Sequence, residues 1–340
     1  MSSESSYQTH PDLEERFLQP NGWSWHMYAG HNGEKLRFGT AFPKHTVPIA
    51  VAVILPGLSE YCEKYFEMAN TLLDRKYAVY IIEWQGQGRS FRHSEKFPQK
   101  RVSNGFYRDV KDLDIFIKDY ILPSAVHPEV GRLPLVMLAH SMGANIGLRY
   151  LKQHPDVFSC AAMTAAMFGI YALRIIPSFM RTSITKLFSE FGDLSYAPGA
   201  TDYKPRKEIK KLKGLFSSDP IRNEIHDKWM MFDPNLQVGG VTYRWLHFAA
   251  KTCSIVRKKK FLKKVKTPIL LAIAGNERFV NNRTIRRIGH TLENASILEL
   301  DKAAHEILME NDSIRETFLK SFDELVKTNI LDKKDSVKPF

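Results

Sequence analysis

The sequence predicts an α/β fold, a mostly parallel central sheet flanked by helices and interrupted once by a long inserted segment. Three observations predict it. Short apolar, β-branched runs recur at residues 47–55, 77–82, 135–139, 161–163 and 269–274, the pattern of strands buried on both faces. Helical periodicity fills the gaps between them. The alternation then stops for about a hundred residues, roughly 168–264, and resumes at Pro268.

The elements follow in order. Residues 24–29 and 35–41 flank Gly30-His31-Asn32-Gly33, and an Asn-Gly turn between two short runs predicts a β-hairpin. The strand at 47–55 leads into a helix over 63–76, then the strand at 77–82. Phe106, Val110, Leu113, Phe116, Ile117 and Tyr120 recur at helical spacing and predict a helix over 104–121, with Ser103 as its cap. After the interruption come strands at 269–274 and 296–300, each followed by a helix, near 281–292 and 313–327. The resulting division is a flexible tail at 1–20, a core at 21–167 and 265–330, an inserted cap at 168–264, and a tail at 331–340.

Composition bounds the function. The chain has 340 residues, 44% hydrophobic and 25% charged, as in soluble globular proteins. Cys62, Cys160 and Cys253 are too few and too scattered for a disulfide framework or a paired zinc site, which fits a reducing, cytoplasmic setting. Residues 1–15 are polar, without the apolar core of a secretory signal. No charge falls between Asp156 and Arg174, but Ala, Thr, Ser and Gly dilute the stretch, so it reads as a buried strand, a loop and a helix rather than a membrane span. The net charge is +12. Between Leu151 and Val265, 20 Lys and Arg stand against 9 Asp and Glu, an excess of 11, so the imbalance coincides with the insertion. Such a charge favours anionic partners, a phospholipid surface or nucleic acid.

The chemistry centres on Ser141. Leu135-Val136-Met137-Leu138-Ala139 runs into His140-Ser141-Met142-Gly143-Ala144-Asn145, the strand, sharp turn and helix of a nucleophile elbow. A serine hydroxyl needs an imidazole to take its proton and a carboxylate to orient that imidazole. The chain order of this arrangement is Ser, acid, His. His305 follows the strand at 296–300 after a short turn and is the better base; His290 falls inside a helical pattern and His140 packs beneath the elbow. Residues 160–174 hold no carboxylate, whereas Gly275-Asn276-Glu277-Arg278-Phe279-Val280 holds one, Glu277. Asp301, four residues before His305, is the competing acid. Oxyanion donors are expected at the N–H of Met142, after the nucleophile, and of Leu58 in Pro56-Gly57-Leu58-Ser59-Glu60-Tyr61.

Glu83-Trp84-Gln85-Gly86-Gln87-Gly88-Arg89-Ser90 fits neither a Walker loop nor a dinucleotide fingerprint and reads as a structural turn. No metal motif is present, so the chemistry calls for no cofactor and no metal.

Taken together, Leu55-Pro56-Gly57-Leu58-Ser59-Glu60-Tyr61 with Lys64-Tyr65, the Gly86-Gln87-Gly88-Arg89-Ser90 turn, His140-Ser141-Met142-Gly143 and Ala304-His305-Glu306 resemble the α/β-hydrolases of the monoacylglycerol lipase and bacterial lysophospholipase group. Met167-Phe168-Gly169-Ile170 and Val238-Gly239-Gly240-Val241-Thr242-Tyr243-Arg244-Trp245 resemble its inner-membrane lysophospholipase branch. The resemblance implies Ser141, Glu277 and His305 as nucleophile, acid and base, and Leu58 and Met142 as oxyanion donors. Pro56, Glu83, Gln87 and Ala139 depart from the usual His, Asp, His and Gly. In this group the insertion caps the nucleophile; here Ile170, Leu173, Ile175, Ile176, Phe179, Met180, Leu187 and Phe188 would line an acyl tunnel, touch lipid, or form the cap's own core. The basic runs at 204–213 and 257–264 suit peripheral contact with an anionic membrane at its inner face, or serve as solvated helix faces. The expected activity is hydrolysis of a lysophospholipid or monoacylglycerol through an acyl-enzyme, with a lipid-like small-molecule substrate and no nucleic acid. The alternatives are an aminopeptidase or thioesterase on the same scaffold, or a non-catalytic module binding anionic lipid or nucleic acid.

Overall fold

A computed structural model describes residues 10, 12–209, 212 and 214–333. Its centre is an eight-stranded sheet: β1 (Ser24–Ala29), β2 (Lys35–Ala41), β3 (Ala50–Leu55), β4 (Tyr77–Ile82), β5 (Leu135–His140), β6 (Cys160–Thr164), β7 (Ile269–Ala274) and β8 (Ala295–Leu300). The order across it is β1-β2-β4-β3-β5-β6-β7-β8. The β1–β2 and β2–β4 pairs are antiparallel and the others parallel. The hairpin registers Ala29 with Lys35 and Ser24 with Thr40, as the Asn-Gly turn predicts. The third strand opens at Ala50 rather than at residue 47, because Pro48 has no N–H to give the ladder.

Between the strands lie α1 (Phe66–Asp74), α2 (Phe106–Ile115), α3 (Met142–Gln153), α4 (Arg181–Gly192), α5 (Pro220–Phe232), α6 (Tyr243–Val256) and α7 (Asn282–Gly289), and α8 (Asp312–Val326) follows the last strand. The helix expected at 63–76 begins as a 3-10 turn, Cys62–Tyr65, and ends before Lys76, whose φ of 64° leaves the helical region. The helix expected at 104–121 starts at Phe106 and passes into a π-helical turn, Phe116–Ile121. Ser103 does not cap it. Gly105 occupies that position with φ 111°, and the Ser103 Oγ instead accepts the Gly105 N–H at 3.1 Å.

The sheet is covered on both faces. Leu113 of α2, with Phe116 of the turn after it, Leu148 of α3 and Val256 of α6 pack against one face. Phe66 and Leu72 of α1 and Phe318 and Phe322 of α8 cover the other. All three cysteines are buried and free within this core. Burial of these apolar side chains, about 1.5–3 kcal/mol each, is what holds the layers together.

Among the described residues, none between Thr164 and Ile269 joins the sheet; they carry α4, α5 and α6. Asp219 caps α5 by accepting the Ile221 and Arg222 N–H groups, and Thr242 caps α6 by accepting from Trp245. The charge-free stretch after Asp156 resolves into β6, a loop and one 3-10 turn, Ala172–Ile175. No helix of the described residues is long and apolar enough to cross a membrane.

Of the eight apolar residues singled out in the insertion, Leu173 is buried, Ile170 and Ile176 are half-buried, and the other five are exposed. Of the basic run at 204–213, Lys210, Lys211 and Lys213 lie outside the described residues, as do 1–9 and 11 of the expected N-terminal tail and 334–340 of the C-terminal one. The rest of the N-terminal stretch is less free than a tail. Glu15–Phe17 form a 3-10 turn with Phe17 buried, and Arg16 reaches Glu67 of α1 at 3.5 Å.

Candidate active site

The site is built at the ends of β3, β5, β7 and β8. Ser141 links β5 directly to α3 with φ 48° and ψ −110°, a conformation costing about 1–3 kcal/mol for a residue with a Cβ. Hydrogen bonds hold it there: the Ser141 N–H donates to the Thr164 carbonyl at 3.0 Å, and its carbonyl accepts from Met167 at 2.9 Å. The next residue but one must be glycine. A Cβ on Gly143 would stand 2.2 Å from the Leu55 carbonyl oxygen, a backbone atom that cannot swing away. Ala139, by contrast, is accommodated inside β5 and fully buried.

His305 reaches the serine from the loop after β8. Its Nε2 is 3.1 Å from Ser141 Oγ, and its Nδ1 is 2.6 Å from Glu277 Oε2 on the loop after β7. The other oxygen of Glu277 accepts the backbone N–H groups of Arg278, Phe279 and Val280 at 2.8, 2.6 and 3.2 Å. Burial alone would raise this carboxyl, but His305 and the Phe279 and Val280 N–H groups outweigh it and hold Glu277 below the ordinary range. Burial would lower His305; the negative charges of Glu277, Glu306 and Glu60 reverse that and raise it.

The competing residues stand apart. Asp301 and His290 are exposed, and neither makes a hydrogen bond to the group around Ser141. His140 lies under the turn with Nδ1 3.0 Å from Thr164 Oγ1. Burial, with the nearby cations of His305 and Lys64, pushes it down to about 4, so it stays neutral.

Leu58 sits in a braced loop. The Gly57 N–H donates to Glu60 Oε2, and the Ser59 N–H donates to Gln87 Oε1 at 3.1 Å, leaving the intervening Leu58 N–H unused by either brace. Gln87 Nε2 also donates to the Gly57 and Glu60 carbonyls at 2.8 and 2.7 Å. Glu83, at the start of the same turn, accepts Arg37 through both oxygens. Sequence reasoning noted Gln87 and Glu83 only as departures from a pattern; the Gly57, Ser59 and Glu60 partners of Gln87 and the Arg37 partner of Glu83 lie 27 or more residues away in sequence. Glu60 was likewise read only as part of a motif, although the short spacing to Gly57, Lys64 and Tyr65 is a local signal that could have marked it.

This arrangement can deprotonate an alcohol beside free backbone donors, which is the chemistry of acyl transfer. Comparison with known proteins agrees. A model of the serine aminopeptidase S33 hydrolase family matches residues 46–312. Lysophospholipase L2 of Escherichia coli K12 is 33% identical over 282 residues, covering 79% of this chain and 78% of that one. A probable lysophospholipase L2 of Haemophilus influenzae is 25% identical over 293 residues, covering 86% and 88%. Among solved structures, a soluble variant of Saccharomyces cerevisiae monoglyceride lipase superposes with a TM-score of 0.70 at 15% identity, over 94% of this chain and all of that one. That likeness shows the fold, an α/β-hydrolase fold as the sequence predicts.

Proposed function

The chain belongs to the serine aminopeptidase S33 family of hydrolases, and from that membership we propose that it is a carboxylic ester hydrolase acting on single-chain lipids, lysophospholipids or monoacylglycerols, through an acyl-enzyme on Ser141. The observation that carries the reading is the continuous chain from Ser141 Oγ through His305 to Glu277, at 3.1 and 2.6 Å. His305 Nε2 takes the Ser141 proton as Oγ attacks the ester carbonyl carbon. The Leu58 and Met142 N–H groups receive the oxyanion, a donor of this kind being worth about 3 kcal/mol. Collapse expels the alcohol, which takes the proton back from His305. Water, activated by the same imidazole, then releases the fatty acid and restores Ser141. Glu277 holds the imidazole in the tautomer with Nδ1–H and stabilises its cation.

Two features favour a lipid ester over a peptide amide. The relatives bear lysophospholipase and monoglyceride lipase names. An aminopeptidase needs a free carboxylate for the substrate's ammonium, and the three buried carboxylates beside His305 are already engaged, Glu277 with His305 itself and Glu60 and Glu306 with Lys64 or Arg206. The insertion would act as the cap over the acyl chain. Ile175, Phe179 and Phe191, 82%, 83% and 85% exposed, with Arg174, Arg181 and Lys186 among them, suit contact with an anionic bilayer from which the substrate is drawn.

The test is a substrate panel of lysophospholipids, monoacylglycerols and aminoacyl amides, run beside labelling with a fluorophosphonate. We expect fatty-acid release from the first two classes, and labelling that Ser141→Ala abolishes without loss of the fold. Cleavage of the amides alone, or a wild-type protein that neither labels nor releases fatty acid, overturns the proposal.

A further inference from the structure

The insertion grips the loop that carries His305. The His305 N–H donates to the Leu215 carbonyl at 3.2 Å and the Glu306 N–H to the Phe216 carbonyl at 2.7 Å. The Phe216 ring stacks on Phe279 with centroids 4.9 Å apart, and Phe279 in turn lies 5.0 Å from the His305 ring. The Arg206 guanidinium sits 3.6 Å over the Phe216 ring and forks onto the Glu306 carboxylate, Nη2 to Oε1 at 2.8 Å and Nη1 to Oε2 at 3.2 Å. The Arg206 backbone is itself fixed, its N–H donating to Asp227 of α5 at 2.6 Å.

From Glu306 the chain of charges runs to the other half of the site. Lys64 Nζ is 2.6 Å from Glu306 Oε1 and 2.6 Å from Glu60 Oε1. The second oxygen of Glu60 accepts the Tyr65 hydroxyl at 2.6 Å and the N–H of Gly57, the residue before Leu58. Arg206, Glu306, Lys64 and Glu60 are all nearly or fully buried by their side chains. A buried alternation of two cations and two carboxylates is expensive to desolvate and is stable only when every member is present. Removing one member leaves its neighbour uncompensated.

We infer that Arg206 of the insertion is a positioning residue for hydrolysis, fixing His305 from one side and, through Glu306, Lys64 and Glu60, the Gly57–Leu58 donor loop from the other. Seating of the insertion and assembly of the reactive geometry are then one event. This rests on the proposed ester hydrolysis and adds the residue outside the core that completes its site.

The electrostatic surroundings give a readout that packing alone would not move. His305 faces Glu277 from the loop after β7, Glu60 and Lys64 from the segment after β3, His140 and Ser141 from the elbow, and its neighbour Glu306, which Arg206 and His226 approach from the insertion. Glu306 raises His305. Taking away Arg206 unmasks that negative charge and raises the imidazole further; taking away the charge of Glu306 lowers it.

The experiment compares wild type, Arg206→Met, Arg206→Lys, Glu306→Gln and the Arg206→Met/Glu306→Gln double variant, with Tm recorded for each. Readouts are the fluorophosphonate labelling rate, kcat and KM on a soluble short-chain ester, and the acid limb of kcat/KM against pH. Arg206→Met should lose about 10- to 100-fold in kcat with KM nearly constant, as expected when reacting groups are misplaced by about an ångström. Its acid limb should move to higher pH and that of Glu306→Gln to lower pH, with the double variant returning toward wild type. Arg206→Lys should recover part of the rate. A folded Arg206→Met protein with wild-type rate and limb, or limbs that move the same way in both single variants, overturns the inference while leaving ester hydrolysis standing. A wild-type protein inert to ester and probe overturns both.

Discussion

Glu277 and Asp301 pose the sharpest question at the scale of one residue, because sequence order admits either as the partner of His305. Glu277 has one oxygen on His305 Nδ1 and the other under three backbone N–H groups, so it is oriented as well as charged. Asp301 is exposed. Glu277→Gln should therefore lower kcat by about 10⁴-fold, the loss seen when a triad carboxylate becomes an amide and the imidazole tautomer is wrong. Asp301→Asn should leave kcat within about twofold, since exposed side chains away from such a group change little. Steady-state rates of the two variants decide it, and a larger loss at Asp301 would reassign the acid. The pH dependence follows by sign. His305 must be neutral to accept the Ser141 proton, and its neighbours raise it above the ordinary 6.5, so kcat/KM should climb with pH through a limb above that value. Glu277→Gln removes the leading cause of the rise and should shift whatever activity remains toward lower pH.

At the scale of elements, β5, the turn at Ser141 and α3 form a unit whose strain is held by close approach to β3. Gly143→Ala forces a Cβ to within 2.2 Å of the Leu55 carbonyl oxygen. Relief requires α3 to move off the sheet, and overpacking of this kind costs at least ~1–3 kcal/mol. We expect a fall in Tm together with loss of labelling at Ser141, read by thermal unfolding and by the fluorophosphonate; an unchanged Tm would show that the elbow has slack. This unit was legible in the sequence because strand, turn and helix are local signals, and so were the hairpin and the strands at 77–82 and 269–274, whose boundaries the structure reproduces. What failed was also local in origin. Ser103 has the right side chain for a cap, but the φ of Gly105 moves the cap position two residues on. The helix after it carries a single apolar stripe from Phe106 to Tyr120, and periodicity cannot register the change to π-helical winding at Phe116. The ion chain from Arg206 to Glu60 was hidden for a different reason: its longest link joins residues 242 apart, Lys64 and Glu306, and no sequence period reports a contact of that kind.

For the whole molecule, the question is how a hydrolase of insoluble single-chain lipids meets its substrate. The insertion carries nearly all the net positive charge, and α4 with the turn before it leaves Ile175, Phe179, Leu187, Phe188 and Phe191 exposed. In water such a face is a cost; against a bilayer each buried Phe or Leu returns about 1.5–3 kcal/mol and each cation near an anionic surface about 1 kcal/mol. The two contributions separate by salt, since screening at 0.15 M confines surface electrostatics to about 8 Å while apolar burial is untouched. We expect sedimentation with vesicles of phosphatidylglycerol and phosphatidylcholine to weaken as salt rises and to level at a residual binding rather than vanish. Phe179→Ser with Phe191→Ser should remove that residual and slow hydrolysis of vesicle-borne lysophospholipid, while kcat on a soluble short-chain ester stays at the wild-type value because both side chains face solvent and Ser141 is buried. Binding that disappears entirely with salt in the wild-type protein would assign the contact to charge alone, and equal loss on soluble and vesicle-borne substrates would place these residues in the cap's own packing instead of at a lipid surface.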